Sequence, residues 1–95
     1  MSKPEIVPHD VIDEALRNLA WDRQGDEITC DRSFPTFREA LGFVTAVGAL
    51  AEQQDHHPNI DLRYTAVHLA LSTHEVAGLT ERDLAFARAV DQIFR

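Results

Sequence analysis

Pro58 stands inside the stretch EQQDHHPNID, residues 52–61, and it constrains the fold of this chain more tightly than any other single residue. A proline has no backbone N–H to give to a helix or strand, and its ring pushes the preceding residue out of the α region. A helix arriving from upstream therefore stops just before it, and a different element begins just after. The upstream segment has an equally marked start. TFRE, residues 36–39, is a capping box in which Thr36 and Glu39 can satisfy each other's backbone donors. Phe37, Ala40, Leu41, Val44, Val47 and Ala51 follow at helical spacing. The pattern predicts a helix running to about Gln54 or Asp55, with residues 56–58 at the point where helix gives way to strand.

The rest of the chain reads as short elements around one core. HDVIDEALRNL, after Pro8, places Val11, Ile12, Ala15, Leu16 and Leu19 at helical spacing. Trp21 and then EITCDRSF flank the turn-like RQGD, and Ile28, Cys30 and Phe34 alternate as in a half-buried strand, so a hairpin is expected there. NIDLRYTAVHLALSTH reads as two strands, with Ile60, Leu62 and Tyr64 on one side of the first and Val67, Leu69 and Leu71 on one side of the second. Period two then puts His68, Ala70, Ser72 and His74 on the opposite face. In GLTERDLAFARAVDQIF, Thr80 is the expected N-cap with Asp83 three residues on, and Leu79 and Leu84 take the hydrophobic-staple positions. Leu84, Ala87, Val90 and Phe94 are expected to face inward. Closely connected strand pairs leave no room for parallel crossovers, so the fold class is α+β: a largely antiparallel sheet with helices on one face. No repeat or linker divides residues 1–95, which are expected to form a single domain.

Charge and cysteine content narrow the partners. The net charge is −7 and the nine Lys and Arg are scattered, which argues against direct nucleic-acid binding and against an anionic membrane surface. The single Cys30 cannot form an internal disulfide, and no apolar run approaches a signal segment or a membrane span. These features predict a cytoplasmic location and, as partner, a small molecule or another protein. A chain of 95 residues buries a modest core, so association with copies of itself is also expected.

His56, His57 and His74 are the histidines nearest to element ends. Imidazole titrates near neutral pH and can serve as acid or base. Adjacent residues cannot share a face of a helix or strand, but an irregular backbone can aim them independently. Read from spacing alone, the three histidines are compatible with acid–base catalysis, with a merely structural role or with zinc, although adjacent histidines chelate poorly in regular structure. His9 and His68 read as surface residues. No glycine-rich phosphate loop, Cys-x-x-Cys pair or nucleophile elbow around Ser72 is present.

Taken together, Glu52, His56-His57-Pro58, Tyr64, His74 and Asp83, in this order and spacing, resemble the signature of the pterin-4a-carbinolamine dehydratases. LSTHEVAGLTERD resembles that family's strand-to-helix segment, and FREALGFVTAVGALAEQQDHHP its long helix leading into the histidine pair. The likeness covers roughly residues 10–94. Ala20 before Trp21, the less apolar CDRSFPTF and Ile60 depart from the pattern of many relatives, but no histidine is lost.

The resemblance implies an αββαββα fold, with a four-stranded antiparallel sheet and three helices packed on one face. It also implies a lyase that converts 4a-hydroxytetrahydrobiopterin to quinonoid dihydrobiopterin and water, recycling the cofactor of aromatic amino-acid hydroxylases. By analogy His56 and His74 are the acid–base residues and His57 helps to bind and orient. Asp55, Ser72, Thr73 and Glu75 join the histidines in lining the pterin, and Glu52 and Asp83 support them. No metal or cofactor is implied. The expected assembly is a homodimer or homotetramer. The alternative implied by the same family is a non-enzymatic dimerisation module that acts as a coactivator through protein contacts.

Overall fold

The computed structural model describes residues 3–93. Helix α1 spans His9–Leu16, strand β1 Asp22–Gln24, strand β2 Glu27–Ser33 and helix α2 Phe37–Gln54. Strand β3 follows at Asn59–Arg63 and strand β4 at Ala66–Leu71, then a single 3₁₀ turn at His74–Val76 and helix α3 at Glu81–Ile93. The sheet order is β1-β2-β4-β3 and every pairing is antiparallel. The three helices cover one face of this sheet, giving the expected α+β arrangement. Among the described residues no helix is long and apolar enough to cross a membrane.

The register explains the core. Ile28 faces Leu71 and Cys30 faces Leu69 across β2 and β4, so alternate residues of both central strands point at the helices. Buried Ile12 and Leu16 of α1, Ala40, Phe43, Val47 and Ala51 of α2, and Leu84, Phe86, Ala87 and Val90 of α3 close over them. Trp21 is buried beside α3, where its indole N–H donates to Asp91 (3.1 Å). Phe94 lies outside the described residues. Val11 of α1 and Phe37 and Leu41 of α2 belong to the apolar pattern but remain exposed.

Both ends of α2 fall where the sequence places them, although among the described residues only the Thr36 half of the capping box is formed. The Glu39 backbone N–H donates to Thr36 Oγ1 (3.1 Å) at the start. At the other end Asp55 takes a left-handed conformation (φ 50°), a position that most helices give to glycine. The His56 N–H then reaches back to Ala51 O (3.1 Å) and the Asp55 N–H to Glu52 O (3.4 Å). This pair of bonds is the Schellman closure, and it fixes the backbone of His56 before Pro58 turns the chain into β3.

Two expectations need correction. Tyr64 is not part of the first strand: β3 stops at Arg63, which pairs with Ala66, and Tyr64 with Thr65 makes a two-residue turn. Tyr64 has φ 52°, is 76% exposed and stacks on Phe37, with ring centroids 6.4 Å apart. Nor does the period of β4 continue to His74. The strand ends at Leu71, and residues 73–78 form a loop closed by paired backbone bonds between Thr73 and Gly78. Ala77, left-handed at φ 50°, turns that loop back toward α3. The aim of His74 is therefore set by the loop and not by strand alternation.

Candidate active site

The C-terminal end of α2, the end of β4 and the first turn of α3 meet at one edge of the molecule. Between them lies a cleft of about 210 Å³ lined by Asp55, His56, His57, Ser72, Thr73, His74, Glu75 and Arg82. All seven residues expected to line a ligand are present, and the structure adds Arg82. Arg82 escaped sequence reading because its relevance comes from a pairing across the loop, Nη1 to Glu75 Oε1 at 2.8 Å.

His56 is the most deeply placed of the three histidines, at 9% exposure. Its Nε2 lies 2.7 Å from Oδ1 of Asp83, which is 0% exposed. A carboxylate can only accept, so His56 Nε2 carries the hydrogen, and in the neutral ring the lone pair sits on Nδ1. The ring edge packs against Phe86, with centroids 6.3 Å apart. These contacts leave the imidazole little freedom to turn.

Both oxygens of the enclosed Asp83 carboxyl group are answered by donors. Besides His56, it accepts the Thr73 hydroxyl (2.8 Å) and the Thr80 backbone N–H (2.9 Å), both on Oδ2. The second of these bonds is the capping interaction expected at the start of α3, and the positive end of the helix dipole lies at the same place. The position read as a helix cap is thus also the support of a histidine.

His57 points the other way, into a more exposed setting, where its Nε2 meets Glu52 Oε2 at 2.5 Å. Glu52 lies in the last turn of α2, and the pair fixes which way the His57 ring faces the cleft. His74 begins the 3₁₀ turn and is exposed at the rim, next to Glu75. The backbone break at residues 55–58 thus lets two adjacent histidines take different partners, one buried and one at the surface. Among the described residues no three His, Cys, Asp or Glu side chains are grouped as metal ligands would be. His9 and His68 stand outside the cleft, paired with Asp26 and Asp31, each at 2.8 Å or less.

A cleft of this kind on an antiparallel α+β sheet defines a class: a small protein whose imidazoles converge on a pocket without a nucleophile or phosphate loop. Sequence and structure comparisons make the class specific. The family model for pterin 4 alpha carbinolamine dehydratase matches residues 5–93, and the chain belongs to that family. A Thermomicrobium roseum protein, whose name assigns it provisionally to the pterin-4-alpha-carbinolamine dehydratases, is 51% identical over 73 residues, covering 77% of this chain and 78% of its own. A Chloroflexus aurantiacus protein with the same provisional name is 40% identical over 90 residues, or 95% of this chain and 97% of its own. The crystal structure of a Brucella melitensis protein titled a transcriptional coactivator/pterin dehydratase superimposes with a TM-score of 0.88 at 34% identity, covering 94% of this chain and 98% of that one.

Proposed function

We propose that this protein dehydrates 4a-hydroxytetrahydropterins, with His56 and His74 as the acid–base pair. The observation that carries the reading is the convergence of His56, His57 and His74 on one cleft, with His56 held by buried Asp83, in a chain of the dehydratase family. In the reaction the C4a hydroxyl takes a proton and leaves as water. The neighbouring N5–H gives its proton to a base as the C4a=N5 double bond forms, so the two transfers balance and the product is the quinonoid dihydropterin. Two imidazoles can perform both, each well-placed group contributing on the order of 10²–10⁴ in rate.

Asp55, Ser72 and Glu75 surround the heterocycle with donors and acceptors, Thr73, its hydroxyl bonded inward to Asp83, forms part of the cleft wall, and His57, steadied by Glu52, orients the ring. The reaction needs no metal and no further cofactor. In the cell it recycles the pterin of an aromatic amino-acid hydroxylase, in the cytoplasm. Residues 1–95 act as one domain that assembles as a homodimer or homotetramer, for which the exposed edge strand β3 offers unpaired backbone. Purified protein is expected to speed loss of the 4a-hydroxypterin absorbance in EDTA. Activity that vanishes with chelator and returns with zinc contradicts the metal-free reaction, and light scattering that finds only monomer at micromolar concentration contradicts the assembly.

A second reading, a protein-interaction module on the same fold, draws support from the exposed Phe37, Leu41 and Tyr64 and from the coactivator half of the Brucella title. It predicts protein contacts that survive replacement of the histidines. The cleft's polar lining favours the enzyme reading.

A further inference from the structure

We propose that Thr73 and Thr80 are positioning residues of the reaction, acting through Asp83 to hold His56 as its Nε2–H tautomer so that Nδ1 is the nitrogen that exchanges the catalytic proton. This inference rests on the dehydratase reading for its chemistry, but its geometry stands apart from it.

The two threonines are each 1% exposed, and their hydroxyl oxygens are 2.7 Å apart. Each hydroxyl has one proton, which fixes the direction of the chain. Thr73 donates its proton to Asp83 Oδ2 (2.8 Å), so it can only accept from Thr80. Thr80 Oγ1 in turn accepts the backbone N–H of Arg82 (3.2 Å). Donors therefore run one way, from the first turn of α3 through Thr80 and Thr73 to the carboxylate. The Thr80 backbone N–H adds a second donor to the same oxygen. Oδ2 is thereby taken up by the protein scaffold, and Oδ1 is left for His56.

A carboxylate pinned in this way cannot rotate to follow a moving imidazole, and an imidazole whose Nε2–H is committed can only exchange protons at Nδ1. Thr73 lines the cleft, but its hydroxyl proton is spent inward. Its substitution should therefore act on turnover and not on pterin affinity. The charged or titratable groups around His56 are Asp83 from α3, Asp55 and His57 from the end of α2, His74 and Glu75 from the loop, and Arg82.

The test uses Thr73→Val, which keeps the shape and removes the hydroxyl, with Thr73→Ser as the conservative control. Imidazole ¹⁵N NMR of the ligand-free parent is expected to show His56 as the Nε2–H tautomer. Thr73→Val is expected to populate the other tautomer, lower kcat by about tenfold or more, leave KM within about twofold and displace one limb of the pH profile. Thr73→Ser restores the tautomer, kcat and the pH profile, with KM again unchanged. If Thr73→Val does not fold, Thr80→Ala, which keeps the backbone N–H to Asp83, carries the same measurements. An unmoved tautomer and pH profile overturn the proposal, and so does a raised KM at unchanged kcat, which would make Thr73 a substrate contact. The expected tautomers in a protein with no activity on the pterin would support the positioning while defeating the dehydratase reading.

Discussion

His56 and Asp83 are separated by 27 positions in the sequence, yet their side chains meet at 2.7 Å with the carboxylate fully enclosed. The contact ties the Schellman end of α2 to the capped start of α3. One buried acid thus serves a helix terminus and a candidate catalytic imidazole at once, and substitutions there separate stability from activity.

Asp83→Ala leaves the Thr80 N–H and His56 Nε2 without their acceptor and breaks the Thr73 hydroxyl's bond to the carboxylate. Leaving buried donors unpaired costs about 1–3 kcal/mol for each group, read as a lower urea midpoint at unchanged m-value. Asp83→Asn keeps most of the shape but presents a donor or neutral acceptor to His56. It is expected to remain folded and to lose about 100-fold or more in kcat/KM. Equal activity in the Asn variant contradicts the role given to Asp83.

Burial pushes the Cys30 thiol above its ordinary value of 9.0, against a smaller opposite pull from Arg32. A raised thiol pKa keeps the neutral form in the folded protein, while an unfolded chain ionises near 9.0. Stability is therefore expected to fall as pH rises through 9 toward the folded value, and Cys30→Ala or Cys30→Ser should lose this alkaline slope. In the folded protein at neutral pH a thiol reagent should label Cys30 only at the rate of unfolding. Prompt labelling would contradict its enclosure.

Asp13 holds Arg23 through two bonds, Oδ1 to Nε at 2.6 Å and Oδ2 to Nη1's neighbour Nη2 at 3.1 Å, clamping α1 onto the first hairpin. The hydrogen bond to Arg23 lowers the Asp13 carboxyl below its ordinary 3.8. A depressed carboxyl contributes stability above the unfolded value and loses it as pH falls through the folded value. Asp13→Asn is thus expected to lower the melting temperature slightly at pH 7, with the difference from the parent closing as pH falls below the ordinary 3.8 and through the folded value. A difference that persists at low pH points to shape and not charge.

Much of the fold was legible because its signals are local. The capping box at Thr36, the break at Pro58 and the cap at Thr80 each announce an element end within four residues, and all three ends stand. Tyr64 was not legible as a turn residue: it continues the alternation of β3, and its left-handed backbone is one that glycine or asparagine usually signals. His74 was misplaced for a similar reason, since Ser72 and Thr73 extend the strand pattern while the Thr73–Gly78 closure is invisible to periodicity. The cleft was foreseen only through the family resemblance. Spacing alone brought the histidines near one another but could not distinguish catalysis from structure or metal. The hydroxyl chain from Thr80 to Asp83 depends on tertiary placement of a loop against a helix, and no sequence period encodes it.

The central claim is that His56 and His74 work as an acid–base pair, and the most direct measurement is kcat/KM against pH for the parent, His56→Ala and His74→Ala, with the uncatalysed dehydration subtracted. One histidine must be charged and the other neutral, so the parent is expected to follow a bell whose limbs fall within a few units of neutrality. Each substitution is expected to remove or displace a limb and to lower the rate by about 10²–10⁴, with the circular dichroism spectrum unchanged. A parent rate that merely tracks the uncatalysed reaction across pH, insensitive to both substitutions, would contradict the account even if the protein bound pterin tightly.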